Sequence, residues 1–174
     1  MKIRNTFIIF VFSGFSQKRL TILNYSSSSQ KVYKIFTKPS TGTYPFCHNS
    51  SGALGFNAGD TCYLANLASS TKFPFKTTSP VSYVSPVTTW FRQVNVTTLQ
   101  NLPNNTIWNL ASSATQEFNY AKLLDGTNPF NDKVGGIYPN FVEYGVPGSG
   151  WRADYERVTY SPGNYEDFII FTDL

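Results

Sequence analysis

Residues 19–37, RLTILNYSSSSQKVYKIFT, decide the fold class, because two runs of β-branched, aromatic and leucine residues flank four serines and a glutamine. Runs of this composition favour β-strands, and the polar stretch between them is typical of a connecting loop. A third such run precedes them at residues 3–12. The start of the chain therefore predicts a meander of three strands.

The composition is that of a folded domain. The chain has 174 residues, of which 17% are aromatic and 14% charged, whereas an average domain is about a quarter charged. So many aromatic residues exclude an intrinsically disordered protein. We expect one β-sandwich or jelly-roll domain over residues 1–174, with a loop-rich section at 38–80 where prolines and glycines are closely spaced.

Further strands are predicted along the rest of the chain, at residues 61–65, 72–76, 87–96, 107–110, 140–144, 151–160 and 165–172. One short helix is predicted near residues 114–124, because Ser113 and Gln116 have capping-box spacing and Gly126 follows as a stop. The predicted fold is all-β: an antiparallel β-sandwich or a single jelly roll of about 8–10 short strands, plus that helix.

The first residues resemble a secretory signal, with two basic residues before the apolar run 7–12. The run is shorter than the roughly 7–15 apolar residues of a signal and the ~20 of a membrane span. We therefore predict a strand there, no transmembrane segment, and synthesis in a host cytoplasm without a cleaved signal peptide.

Charge is distributed unevenly although the net charge is only +4. The first acidic residue is Asp60, so every charged residue before it is basic. These bases are candidate contacts for nucleic acid or an anionic surface. Their wide spacing favours the alternative, solvated strand edges kept basic against mispairing. They are Lys2, Arg4, Lys18, Arg19, Lys31, Lys34 and Lys38.

Cys47 and Cys62 are a candidate disulfide. Such a bond would close a loop of about 15 residues and stabilise the fold by roughly 3 kcal/mol. Two cysteines do not identify the redox compartment, so separate thiols remain the alternative. His48, the sole histidine, adjoins Cys47. Neighbours in an extended chain point to opposite sides, which argues against a catalytic pair.

Acidic residues near the C-terminus are candidates for glycosidase chemistry, which requires two acids. Asp154, Glu156 and Glu166 are the candidates, but Arg152 and Arg157 flank the first two and favour cross-strand salt links. The sequence contains no phosphate-binding glycine loop, nucleophile elbow or CxxC motif. We therefore predict no catalytic residue, no metal and no cofactor.

Two functional hypotheses remain. The first is a non-enzymatic structural subunit of a larger assembly, interpreted as a virion capsid, penton or surface protein, whose partners are copies of itself and other shell subunits. The second is a glycan- or surface-binding module, adhesin- or lectin-like, outside the cell or at its surface. Trp90, Trp108 and Trp151 are the candidate ligand or subunit contacts. The alternative interpretation is that all three tryptophans belong to the hydrophobic core or to an interface.

Overall fold

The computed structural model describes residues 18–50, 52–64, 72, 73, 75, 87–125, 128–136, 145–147 and 150–174. The strands are β1 Lys18–Asn24, β2 Gln30–Pro39, β3 Phe46–Asn49, β4 Leu54–Phe56, β5 Thr61–Leu64, β6 Thr89–Gln93, β7 Leu99–Pro103, β8 Gln116–Asp125, β9 Asn128–Val134, β10 Gly145–Pro147, β11 Trp151–Ser161 and β12 Asn164–Asp173. A helix, α1 Asn104–Asn109, and a 3-10 turn at Ala111–Ala114 connect β7 to β8.

The strands form two sheets. The five-stranded sheet has the order β10-β11-β12-β1-β5, and the seven-stranded sheet has the order β7-β6-β3-β2-β8-β9 with β4 beside β2. All described pairs are antiparallel except β1 with β12. The predicted all-β sandwich is confirmed. More strands are present than the 8–10 expected, partly because β4 and β10 have only three residues each.

The core lies between the two sheets and follows from period-two alternation. In β12, Tyr165, Asp167, Ile169 and Phe171 are buried while the residues between them are half-buried. Aromatic side chains join the sheets: the Phe56 and Phe171 ring centroids lie 6.3 Å apart. One continuous apolar cluster therefore contains residues of both sheets.

The predicted helix at 114–124 is wrong, because these residues form the strand β8 apart from the turn that precedes it. Ser113 does not cap a helix: its hydroxyl donates to the carbonyl oxygens of Trp108 and Leu110 inside the 3-10 turn. Phe118, Ala121 and Leu123 are buried because their side chains belong to the core cluster. A bulge in β8 shifts the alternation by one residue, which produces the apparent helical spacing.

Two further predictions need correction. Residues 107–110 are predicted as a strand, but they lie at the end of α1 and in the turn after it. The strands predicted at 19–25 and 31–37 exist as β1 and β2, but they belong to different sheets and do not form a meander. The strands predicted at 3–12 and 140–144 lie outside the described residues.

Candidate binding face of the seven-stranded sheet

A row of aromatic side chains crosses four strands on the outer face of the seven-stranded sheet. Phe91, His48, Phe36 and Tyr120 are successive cross-strand partners on β6, β3, β2 and β8. Neighbouring ring centroids lie 5.3, 5.0 and 4.4 Å apart along this row. Apart from Arg92, the residues next to them in sequence, such as Cys47, are buried. The row therefore lies on the opposite face, away from the other sheet.

Alternation within β2 places lysines beside the row. Ile35 and Thr37 are buried, whereas Lys34, Phe36 and Lys38 are half-buried. A register shift next to Lys34 resets the alternation, so that three residues in steps of two share the outer face. The order of residue types along β2 thus produces an aromatic side chain between two lysines.

His48 is neutral at physiological pH. Burial lowers the pKa of its imidazole, and the positive charges of Lys34 and Lys122 lower it further, although its hydrogen bond with the Asn49 carbonyl acts in the opposite direction. The row is therefore an uncharged aromatic ridge with lysines around it.

A groove of about 370 Å³ opens beside this row. Its walls combine aromatic rings with two lysines and three polar side chains. It is lined by Phe36, Thr37, Lys38, Thr43, Phe46, Asn119, Tyr120 and Lys133. This volume lies at the small end of the range for small-molecule sites, and the mixture of apolar walls with a few polar groups is typical of such sites. We refer to these eight residues as the groove.

Asn119 is the most deeply buried polar side chain of the groove apart from Thr37, with 6% of its surface exposed. It is the extra residue of the β8 bulge, since Phe118 and Tyr120 pair with consecutive residues of β2. Its side-chain carbonyl oxygen is buried without a hydrogen-bond partner in the part of the chain that the structure describes. Leaving such an acceptor unpaired costs about 1–3 kcal/mol.

Gly135 allows β9 to pass close to this bulge. Its φ is +153°, and an added Cβ would lie 2.4 Å from the backbone carbonyl oxygen of Asn119 and 2.6 Å from the Cα of Tyr120. Any larger residue would displace the backbone beneath the groove. The absence of a side chain at Gly135 therefore contributes to the shape of the groove.

The predicted tryptophan contacts are mostly wrong. Trp90 and Trp151 have 0% and 4% of their surfaces exposed and belong to the core, so neither can meet a ligand or another subunit. Trp108 is half-buried at the end of α1, where the Lys72 ammonium lies 4.6 Å from its ring centroid. The sequence did not predict the groove, because the candidate ligand contacts were tryptophans, whereas the aromatic residues of the groove are phenylalanine and tyrosine. The available signal was the alternation of lysine and phenylalanine in residues 34–38.

The described basic residues of the first third are divided between β1 and β2, which belong to different sheets. Lys2 and Arg4 lie outside the described residues. Lys18 is 5% exposed and donates to the carbonyl oxygens of Ala114 and Gln116, so the prediction that it contacts an anionic partner is wrong. Arg19 pairs with Glu166 at 3.1 Å. The remaining bases, Lys31, Lys34 and Lys38, all lie on β2.

The cysteines are two buried thiols, and the predicted disulfide is absent between these described residues. Cys47 lies on β3 and Cys62 on β5, which belong to different sheets. Burial raises the pKa of the Cys47 thiol to about 12, so it is protonated at neutral pH and is a poor nucleophile. His48 points to the other side of β3, as expected of adjacent residues in a strand.

The carboxylates considered for hydrolysis are held mostly in ion pairs. Asp154 lies 2.5 Å from Arg152. Glu166 pairs with Arg19. It lies on β12 opposite Val158 of β11, within the final hairpin that the sequence predicts. Glu156 is exposed. These contacts agree with the expectation of salt links rather than an acid and base pair.

A buried polar cluster lies at one end of the sandwich, between the sheets. Asp167 is fully buried and accepts hydrogen bonds from Tyr155 at 2.6 Å and from two nitrogens of Arg157 at 2.7 and 2.9 Å. Arg157 also contacts Glu117 of the other sheet at 3.3 Å. Burial raises the pKa of the Tyr155 and Tyr165 phenols, which remain neutral. The cluster joins the two sheets, because Arg157 and Asp167 lie on strands of one sheet and Glu117 lies on a strand of the other.

The chain matches no protein-family model, no curated protein and no solved structure. Within the ranges given above, no helix is long and apolar enough to cross a membrane. Nor do those residues bring together three or more histidine, cysteine or carboxylate side chains able to hold a metal ion. What the chain does must therefore be inferred from its groove and surfaces.

Proposed function

We propose that this chain is a non-enzymatic β-sandwich module that binds a glycan or another surface ligand through the groove. The observation that carries the proposal is the groove itself, in which Phe36, Phe46 and Tyr120 meet Lys38 and Lys133. Aromatic walls pack against the apolar faces of sugar rings, and the polar groups orient the ligand.

A non-enzymatic role is supported by the state of the acidic groups. Glycoside hydrolysis needs one acid to donate a proton and a second carboxylate to act as base or nucleophile. Asp154, Glu166 and Asp167 instead neutralise arginines. Among the residues that the structure describes, the groove lining contains two lysines and no carboxylate.

Replacing Phe46 with alanine is expected to weaken glycan binding about tenfold, because it removes an aromatic wall of the groove. The measurement is binding of the immobilised chain to a panel of neutral and acidic oligosaccharides. Phe168→Ala is the matched control, since Phe168 is also half-buried but lies on β12 in the other sheet. Equal losses from both variants, or no binding to any oligosaccharide, would contradict the proposal.

A second candidate function is the structural subunit of a larger assembly, with a virion shell as the particular case. The observation that favours it is the edge strand β7, which has β6 as its one neighbour among the described strands. Residues 93–116 contain no Asp, Glu, Lys or Arg. Val96 and Leu99 are 80% and 53% exposed in this segment. An uncharged edge strand invites pairing with another chain.

This second candidate predicts that the purified chain self-associates at high micromolar concentration. Light scattering should find species larger than the 19.5 kDa chain. Leu99→Lys should weaken the association about tenfold, because a charge on an edge strand opposes pairing. Leu174→Lys is the control, since Leu174 is 73% exposed but lies at the C-terminus. A wild-type chain that stays monomeric would refute the assembly role.

A further inference from the structure

We propose that two copies of this chain join edge to edge, with β7 of one copy antiparallel to β7 of the other about a two-fold axis at Gln100. The inference rests on the second candidate function, the assembly subunit, and adds the partner, the strand and the register. It follows from the backbone groups of β7, whose residues other than Leu102 are exposed.

Two residues of β7 direct their backbone hydrogen-bonding groups away from β6. Val94 donates its N–H to the Thr98 carbonyl oxygen at 2.9 Å, and these two residues continue the register of the β6–β7 pair. Hydrogen-bonded positions alternate along an antiparallel pair, so the even-numbered residues of β7 bond to β6. The N–H and C=O groups of Leu99 and Asn101 therefore point to the open side of the strand.

The positions that flank these two residues have no N–H to offer. Pro103 lacks the N–H that would point to the open side two residues after Asn101. Two residues before Leu99, the N–H of Thr97 donates to the Asn95 side-chain oxygen at 2.9 Å. Between residues 97 and 103, the open side of the strand therefore presents two free donors.

A two-fold axis at Gln100 pairs all the open groups of Leu99 and Asn101. Leu99 then lies opposite Asn101 of the second copy, and the symmetry repeats this pair, which gives four backbone hydrogen bonds. The same axis sets Thr97 opposite Pro103, so the two positions without a free N–H meet each other. An axis at Leu99 would leave the Asn101 carbonyl without a donor, and an axis at Asn101 would leave the Leu99 carbonyl without one.

The β7 edge carries no charge that would oppose this pairing. Residues 93–116 contain no Asp, Glu, Lys or Arg, although the net charge of the chain is +4. At the other edge of the same sheet, β9 contains Asp132 and Lys133. Charged residues on an edge strand oppose strand addition, so β7 is the edge that suits a second copy. A two-fold interface uses β7 of both copies and therefore closes at a dimer.

Single cysteine substitutions at residues 99, 100 and 101 test the register. In the proposed dimer the two copies of residue 100 form a non-hydrogen-bonded pair with Cα atoms about 4.5 Å apart, within the roughly 4.4–6.8 Å range of a disulfide. The two copies of residue 99, or of residue 101, lie about 8–9 Å apart. Under mild oxidation, Gln100→Cys is expected to form an intermolecular disulfide at least about tenfold faster than Leu99→Cys or Asn101→Cys. The wild-type chain is the control, because Cys47 and Cys62 are buried.

A proline substitution tests the hydrogen bonds across the interface. Asn101→Pro removes an N–H that points away from β6, so the bonds between β6 and β7 remain. It is expected to raise the dissociation constant of the dimer at least about tenfold, measured by analytical ultracentrifugation. Asn101→Ala is the matched control, because it changes the same side chain, keeps the N–H and should dimerise like the wild type. If Asn101→Pro does not fold, the cysteine variants still test the pairing.

The outcomes separate this inference from the assembly function. Self-association without preferential cross-linking at residue 100, or with equal dissociation constants for Asn101→Pro and Asn101→Ala, would overturn the two-fold pairing and leave an assembly role intact. Faster cross-linking at residue 99 or 101 would overturn the register. A wild-type chain that stays monomeric at high micromolar concentration would refute both proposals.

Discussion

Replacing Trp90 with alanine is expected to lower the free energy of unfolding by about 4 kcal/mol. Trp90 is fully buried, and its ring meets Phe75 and Phe73 edge-on at centroid distances of 5.1 and 6.4 Å. Its indole N–H donates to the Phe75 carbonyl oxygen at 2.9 Å, and the substitution leaves that buried acceptor unpaired. A loss of this size is a large part of the 5–15 kcal/mol that stabilises a typical domain.

Urea denaturation of the two proteins measures this loss. Trp108→Ala is the control, because Trp108 is only half-buried and should cost no more than about 1–2 kcal/mol. The comparison also decides between a core role and a ligand role for Trp90. A Trp90→Ala protein as stable as wild type, but deficient in binding, would contradict the packing described above.

The second large effect is expected at the buried ion pair. Asp167→Ala should destabilise the protein by roughly 3 kcal/mol, since it leaves the Arg157 guanidinium without its bidentate partner between the sheets. The Asp167 side chain is 1% exposed and that of Arg157 is 24% exposed, so water recovers only part of the loss. Burial alone would lower the pKa of Arg157, but the contacts with Asp167 outweigh burial and raise it. The arginine nevertheless keeps its charge in the variant, because a guanidinium is not deprotonated in proteins even without a carboxylate partner.

A double-mutant cycle tests the origin of this effect. Arg157→Met combined with Asp167→Leu removes both charges in a Tyr155→Phe background, in which no buried hydroxyl loses its acceptor Asp167. This combination should restore stability to within about 1 kcal/mol of the Tyr155→Phe protein, because apolar replacements of a buried pair are often neutral. Each single variant and the double variant are unfolded in urea at pH 7. Additive losses in the double variant would show that the pair is not coupled and that the damage comes from packing alone.

The local sequence predicts a strand correctly where its residues alternate regularly between a buried face and a less buried face. β11 and β12 were predicted as a hairpin because the turn Ser161-Pro162-Gly163-Asn164 separates two alternating runs, and the structure pairs them over most of their length. β8 was mistaken for a helix because a bulge at Asn119 interrupts its alternation. A bulge is defined by pairing with the neighbouring strand, so the broken alternation of β8 does not by itself distinguish a bulged strand from a helix.

The candidate site was harder to predict than the fold. The three tryptophans were candidate contacts with a core position as the alternative, and burial depends on which sheet face a residue occupies: Trp90 faces inward. The groove joins residues of β2, β3, β8 and β9, with Thr43 from a loop. Phe36 and Tyr120 are far apart in the chain and become neighbours only through strand pairing.

The sequence by itself determined the all-β class, several of the strands and the opposite directions of Cys47 and His48, because these depend on composition and on alternation within one segment. Tertiary structure alone decided the partition of β1 and β2 between two sheets, the separation of the cysteines and the groove beside Asn119. The physical reason is that strand order and bulges arise from hydrogen bonds between distant segments. Those pairings determine which side chains meet.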